Sequence, residues 1–475
     1  MTRQFVRGAG RLVFGAILMC SVVPAFAQQG AGEGKSAEEE AGGGRIIRKE
    51  ESPPPHLCAG CVAPMFTEGS KGSLSPYGRI ELDGIYSTRN TNPLDPQQFN
   101  GYGTAAGRQG NSSSTFNPRY SVIGLRADRT DGVHTLAGVV EADFYGQSDS
   151  GNNLVPRLRL AYAKYSPNNN KTTITIGQDW NPIMGLLSDN IDFSIMGYTG
   201  NLWQRIPQVT VRQKFSDNFE GLLTVMRFER GLSNCCGNNQ VRPTPGTGAN
   251  GGGPGSTQSF NDPVQMPYFG TRWAYTGTGN LTGTMLAING AYRYYRSAPI
   301  LSGAGTPTVV SGNFTSGRDI NSYVVGLEAV HQLAKQLRLM WELAYGQALG
   351  NEWFRWNQDL NWLTGKPVRT MTSWFQLSYA HSRDYTFLFG YGIDNPLDRD
   401  LQGSLNAYGA AGVNSSIQYL SNQRTYLTAI HPVWADLVMG FEWQHFWTNW
   451  AQPTGFVGKA SNQADMFTLS AWYNF

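Results

Sequence analysis

Arginines and carboxylates recur at alternate positions in this sequence, as in Arg157-Leu158-Arg159, Glu141-Ala142-Asp143 and Glu81-Leu82-Asp83. On an extended chain residues two apart share a face, so each such pair stacks charge along one side of a strand. Opposed rows of charge across a water-filled space create a transverse field that orders polar solutes, and arginine-rich rings favour anions. The basic candidates on polar faces are Arg79, Arg126, Arg157, Arg159, Arg212, Arg272, Arg293, Arg338 and Arg424. The acidic candidates are Glu81, Asp83, Glu141, Asp143, Glu328, Glu342 and Glu442.

Covalent chemistry finds little support. Six histidines are scattered, and no H-E-x-x-H, G-x-S-x-G or G-x-x-x-x-G-K-[ST] pattern occurs. His331, His381, His431 and His445 fall near expected strand ends with no evident serine and carboxylate partners, as girdle or turn residues would. Neither an enzyme activity nor a cofactor or metal is expected. Of five cysteines, Cys20 lies in an apolar leader, Cys58 and Cys61 form a C-A-G-C, and Cys235-Cys236 are adjacent. In an oxidising compartment the last four are candidate disulfide residues or plain thiols, with the pairing open. The C-x-x-C spacing also suits a metal or a redox dithiol, but its Pro- and Gly-rich surroundings lack a strand-helix context. Val62 stands where haem attachment requires His.

The scaffold that positions these charges must be apolar and extended. The chain has 475 residues, among them 57 Gly, 23 Phe, 22 Tyr and 13 Trp, with 15% charged. So many aromatic residues exclude a disordered chain. A mean hydropathy of −0.34, with no run of about 18 or more apolar residues beyond the N-terminus, excludes a helical membrane protein. A net charge of +3 gives no support to nucleic-acid binding.

Arg3, Arg7 and Arg11 precede an apolar run from Leu12 to Val23 and then Ala25-Phe26-Ala27, the layout of a secretory signal cleaved after Ala27. Met19 before Cys20 is too large for a lipoprotein site, and the run is too short for a membrane anchor. Residues 28–74, with Glu38-Glu39-Glu40 and Pro53-Pro54-Pro55, read as a flexible periplasmic segment.

From residue 75 to the end the pattern has period two, interrupted by Gly, Asn, Asp and Pro. Sixteen strands are expected at about 77–88, 116–129, 133–147, 155–167, 171–181, 204–216, 218–231, 267–278, 279–297, 318–334, 337–349, 371–382, 385–396, 417–432, 435–450 and 462–475. Short connections such as Thr130-Asp131-Gly132 and Asn168-Asn169-Asn170 alternate with long ones such as 89–115, 182–203 and 232–266. Tight turns at one end and long loops at the other are the layout of an all-β transmembrane antiparallel barrel. Charge keeps to one face: Leu136, Val140, Ala142 and Phe144 oppose Glu141 and Asp143, while Leu437, Met439, Phe441 and Trp443 oppose Glu442 and Gln444. Trp180, Tyr292, Tyr294, Trp374, Phe375 and Trp443 are expected in interfacial girdles.

Phe467, Leu469, Ala471, Tyr473 and Phe475 alternate with Thr468, Ser470, Trp472 and Asn474, and the sequence ends on Phe475. This resembles the last strand of bacterial outer-membrane barrels, which their assembly machinery reads. The sequence resembles sixteen-stranded trimeric porins and, more narrowly, DcaP-like porins. The resemblance is clearest in Arg119-Tyr120-Ser121-Val122-Ile123-Gly124-Leu125-Arg126, Gly138-Val139-Val140-Glu141-Ala142-Asp143-Phe144-Tyr145-Gly146, Pro156-Arg157-Leu158-Arg159-Leu160-Ala161-Tyr162 and Ile176-Gly177-Gln178-Asp179-Trp180. It implies a homotrimer in outer-membrane lipid, passive diffusion of small polar or anionic solutes, and one surface loop folded into the lumen. In such porins that loop follows the fifth strand, here 182–203. Its many apolar residues suit packing inside a barrel, where it would present Asp189 and Asp192 to the channel, facing a basic wall of Arg126, Arg157, Arg159 and Arg212 beside the acidic Glu141 and Asp143. A weak anion preference is the expected result. The competing reading is a barrel with an enzymatic or adhesive role and no open pore.

Overall fold

The computed structural model describes residues 72–89, 91–92, 99–100, 112–146, 154–227, 266–296, 319–350, 353, 355, 366–382, 384–401, 419–450 and 461–475. The signal 1–27, most of the segment 28–74, and Cys58, Cys61, Cys235 and Cys236 lie outside the described residues.

Sixteen antiparallel strands close into a barrel, as the alternation predicts. They are β1 (Gly72–Ser87), β2 in two pieces (Ser113–Asn117 and Val122–Thr130), β3 (Thr135–Gly146), β4 (Val155–Ser166), β5 (Thr172–Trp180), β6 (Arg205–Lys214), β7 (Phe219–Met226) and β8 (Tyr268–Thr276). The circuit continues through β9 (Thr284–Arg296), β10 (Asp319–Ala334), β11 (Leu337–Gln347), β12 (Arg369–Ala380), β13 (Thr386–Pro396), β14 (Tyr419–Trp434), β15 (Leu437–Trp450) and β16 (Ser461–Asn474). β1 begins at Gly72, ahead of the expected barrel start at 75.

Each strand pairs with its sequence neighbours, and β1 closes the ring on β16 with Arg79 opposite Asn474 and Ser87 opposite Met466. Closure leaves no open strand edge, the condition under which a sheet can face lipid. Phe475 finishes the seam: its amide donates to the Gly78 carbonyl at 3.0 Å and its carbonyl accepts from Gly78 at 2.9 Å. A Cβ on Gly78 would collide with the Phe475 ring, so the close approach requires glycine.

Both pieces of β2 pair with β1, and the break holds one more residue than the facing stretch of β1. Pro118 has no amide to give to the ladder. Ser121 bridges the gap, its Oγ accepting from Glu81 N at 3.0 Å and donating to Glu81 O. A second irregularity lies between β3 and β4, where the register slips between Glu141 and Ala142 and turns both Arg159 and Leu160 inward. Such bulges re-aim side chains in barrels.

The two faces are inverted relative to a water-soluble protein. Outward residues such as Ile80 (63%), Leu223 (64%) and Ile288 (58%) are exposed, whereas the inward Asp143, Arg424 and Glu442 are fully buried. An apolar exterior around a polar interior is the signature of a barrel that crosses a bilayer. Two expected girdle residues belong to the other face: Trp180 and Trp374 are buried inside. Trp374 and Phe375 are neighbours on β12, so only one can point outward. Phe375 does so, against Phe389 and Tyr391. Trp374 turns inward to donate its indole N–H to Glu342 at 2.6 Å.

Candidate functional site

The chain between β5 and β6 is buried throughout its second half, including Phe193, Ile195, Met196, Tyr198, Leu202 and Trp203. Asn181 N donates to Gln204 O at 2.7 Å and draws the two ends together. Between them the chain crosses the lumen in irregular turns, with Ile195, Met196 and Tyr198 all at positive φ. Gly200 (φ +118) rests against the β12 backbone at Ser373, where any side chain would clash. Strain at three non-glycine residues persists only where surrounding contacts over-determine the conformation.

At the strained stretch Asn201 Nδ2 donates to Ile195 O at 2.9 Å and Asn422 Nδ2 of β14 to Tyr198 O at 2.8 Å, and the rest of the loop is held by the inner face of β10 to β15. Gly185 N donates to Glu328 Oε1 (2.9 Å), Leu186 N to Glu342 Oε1 (2.9 Å), Asp189 N to Gln376 Oε1 (2.8 Å) and Ile191 N to Glu442 Oε2 (2.8 Å). Irregular backbone has amide donors with no ladder partner, and wall carboxylates satisfy them without water. The loop's own acids are used in the same way. Asp189 accepts from Arg338 and Gln376, both at 2.6 Å. Asp192 accepts from Arg424 at 2.5 Å, and Arg424 also reaches Ser194 (2.8 Å) and Thr199 (3.1 Å).

The structure therefore changes the expected geometry of the constriction. Asp189 and Asp192 tether the loop to β11, β12 and β14 instead of facing the predicted basic wall. Within that wall every arginine has a carboxylate of its own. Arg126 pairs with Asp128 (2.6 Å), Arg157 with Asp143 (2.5 Å), Arg159 with Glu141 (2.8 Å) and Arg212 with Glu220 (3.0 Å). Glu141 and Asp143 are thus partners of the arginines, and Tyr77 also donates to Glu141 at 3.0 Å.

Arg205, at the first position of β6, was not among the expected site residues. Alternation counted back from Arg212 puts 206, 208 and 210 inside and 205 outside. The phase breaks where the loop folds over the strand end, and both Arg205 and Ile206 are buried. Its guanidinium lies over Trp180, Trp203 and Phe193, at 4.7, 5.3 and 5.5 Å from their centroids. Arg157 also lies over Phe193 at 5.4 Å, Arg159 over Tyr120 at 5.7 Å, and Arg79 between Tyr120 and Trp472. Phe193 stacks on Tyr145 with centroids 4.0 Å apart. Stacked guanidinium and aromatic groups thus line the inner face of β1 to β6.

A second inward group follows β11. Trp353 is buried edge-on against Tyr268, in one apolar cluster with Ile183 and Met184 of the first loop. Arg355 grips Asp394 of β13 through Nε (2.9 Å) and Nη2 (2.7 Å), while Thr370 and Tyr419 donate to the same carboxylate. Nothing in the composition of 350–370 sets these two residues apart. Among the described residues no three or more His, Cys, Asp or Glu are grouped as metal ligands.

A closed sixteen-stranded barrel whose post-β5 loop is held within a polar lumen has the fold of an outer-membrane channel. Among solved structures the chain is similar to the outer membrane channel DcaP of Acinetobacter baumannii, with 15% identity over 87% of this chain and 100% of that one and a TM-score of 0.60. It is also similar to OprB of Pseudomonas putida, with 10% identity over 85% of this chain and 94% of that one and a TM-score of 0.53. No family model and no curated relative matches the sequence.

Proposed function

We propose that the protein is a bacterial outer-membrane porin, through which small hydrophilic solutes diffuse passively past the 182–203 loop. The observation that carries this reading is the loop itself. Its amides and acids are bound to Glu328, Glu342, Gln376, Arg338, Arg424 and Glu442 inside a barrel whose exterior is apolar. Selection then follows from size and from the electrostatics of the lumen, with no covalent chemistry. A weak anion preference is supported by Arg157, Arg159 and Arg205, three cations gathered about Asp143 and Glu141. In this reading the chain is exported with a cleaved signal, the assembly machinery recognises the strand ending at Phe475, and the barrels associate as homotrimers. The fold shared with the channel DcaP supports the same view.

Planar-bilayer recording of the purified protein, with the reversal potential taken across a salt gradient, tests it. Stepwise openings in groups of three, with a reversal potential of anion-preferring sign, are expected. A folded, heat-modifiable barrel that stays silent would overturn the diffusion role in favour of an enzymatic or adhesive one.

A further inference from the structure

On the wall of β2 to β5 the charges that water in the lumen touches most are not those of the stacked arginines. The side chains of Arg126, Asp128 and Lys164 are 38%, 32% and 24% exposed, against 11% and 8% for Arg157 and Arg159. Arg126 holds Asp128 through Nε (2.6 Å) and Nη2 (2.9 Å). Lys164 Nζ lies 3.1 Å from Asp179 Oδ2 and 4.4 Å from the centroid of Tyr162. Neither Lys164 nor Asp179 was among the expected site residues.

The register sets the two ion pairs on either side of β3. Arg126 stands opposite Val139, and Val139 opposite Tyr162; one row on, Asp128 stands opposite Ala137, and Ala137 opposite Lys164. Strands lie about 4.8 Å apart, so Asp128 and Lys164 are about 10 Å apart at Cα, across a trough floored by the short side chain of Ala137. Its two walls carry opposite signs in that row. Neighbouring charges on the same face leave the balance intact, since Glu141 is paired with Arg159 and Arg212 with Glu220, and Lys171 and Lys214 stand at the strand ends beyond these rows.

A monovalent ion in such a trough is drawn by one wall and repelled by the other, so its net gain is small. A solute that carries both signs gains from both walls. Exposed ion pairs contribute little on their own, so Asp128 and Lys164 exchange their protein partners for such a solute at small cost.

We infer that this trough is a subsite for zwitterionic solutes of amino-acid size, whose ammonium meets Asp128 and whose carboxylate meets Lys164, with the Tyr162 ring beside the carbon skeleton. This role rests on the porin reading and names the class of solute that the lumen favours. Paired charges of this kind add little to the preference between free anions and cations.

Swelling of proteoliposomes that hold the full-length protein tests it with two isomers of one formula, zwitterionic alanine and uncharged lactamide, each corrected for entry into protein-free liposomes. Alanine is expected to enter several-fold faster than lactamide through the wild type. Asp128→Asn combined with Lys164→Gln, which leaves the net charge unchanged, should bring the two rates together without slowing lactamide. An alanine advantage that survives in the double variant would overturn the inference. So would equal rates through the wild type, a result that does not require the variant to fold. Lactamide entry with no advantage for alanine overturns the subsite and leaves the porin reading standing, whereas entry of neither solute overturns the porin reading and the subsite with it.

Discussion

The two inner walls of the barrel use the same residue types for opposite ends. Along β2 to β6 carboxylates are spent on arginines of the same wall, as in Arg157 with Asp143 and Arg159 with Glu141. Along β10 to β15 carboxylates also serve the backbone of a foreign segment: Glu342 and Glu442 accept loop amides, Glu328 accepts one while paired with Arg272 of β8 at 2.9 Å, and Arg338 and Arg424 bind loop acids. One wall is therefore a lining, self-paired and stacked with aromatics. The other is a clamp. A charged residue facing a lumen reveals its role only when its partner is known, and the partner can lie far along the chain, as with Arg424 and Asp192.

The sharpest way to break this contrast is to open the clamp. Arg424→Ala removes a fully buried guanidinium and leaves Asp192 without its cation beside Glu442, a change expected to destabilise the folded barrel by about 3–5 kcal/mol. Released on that side, the loop should give larger and noisier single-channel openings. An unchanged conductance together with an unchanged unfolding temperature would show that Arg424 does not hold the loop.

Glu442 separates charge from acceptor capacity. Its oxygens accept from Ile191, Asp192, Thr428 and Gln444. Glu442→Ala strands buried donors, at about 1–3 kcal/mol for each one left unsatisfied. Glu442→Gln keeps one acceptor oxygen and should fall much closer to wild type in unfolding temperature and current noise. If both variants behave alike, the clamp works through charge and not through hydrogen bonding.

On the lining side, replacing Arg157 and Arg159 together with Ala leaves Asp143 and Glu141 facing Arg205 alone. The reversal potential across a salt gradient should then move toward cation preference, with a smaller change in conductance than Arg424→Ala produces. No movement would remove these two residues from the ion-selecting wall and return them to a purely structural pairing.

The period-two alternation made the strands legible, because an apolar exterior and a polar interior impose opposite demands on neighbouring residues. Strand count and most turn positions follow from that local rule, but the β8–β9 turn, expected at Thr278-Gly279, takes up residues 277–283 around a short 3-10 helix at Gly279–Leu281, and the bonds of Phe475 to Gly78 depend on where the ring closes. The alternation also placed Glu328, Glu342, Arg338 and Arg424 on the inner face. It left open which of them meets the loop, because that depends on where an irregular segment lands across the lumen. Trp374 shows composition and phase pulling apart within a strand: beside Phe375 it shares a girdle composition, but the alternation puts it in phase with Thr372 and Gln376 on the buried face, where it meets Glu342 of β11. Arg205 shows the limit of the alternation at a strand end, where the loop's cover overrides the phase of the strand. Trp353 and Arg355 had no local signal, since their partners Tyr268 and Asp394 sit on β8 and β13.

The smallest expected effect lies outside both walls, where a clamp of the same chemistry meets water. The Arg369 side chain donates to Asp400 at 2.7 and 2.5 Å, and its amide donates at 3.0 Å, in the short helix Asp398–Leu401 beyond β13. The Arg369 hydrogen bonds hold the Asp400 carboxyl below its ordinary range, against the opposing effect of partial burial. A carboxyl lowered in the folded state adds stability above its unfolded pKa, and that contribution fades as pH falls through the folded value. Asp400→Asn should therefore lower the unfolding temperature slightly at neutral pH, and the gap from wild type should close as the solution is acidified below the usual carboxylate range. A gap that stays constant with pH would mean that Asp400 acts through packing against β12 and not through its charge.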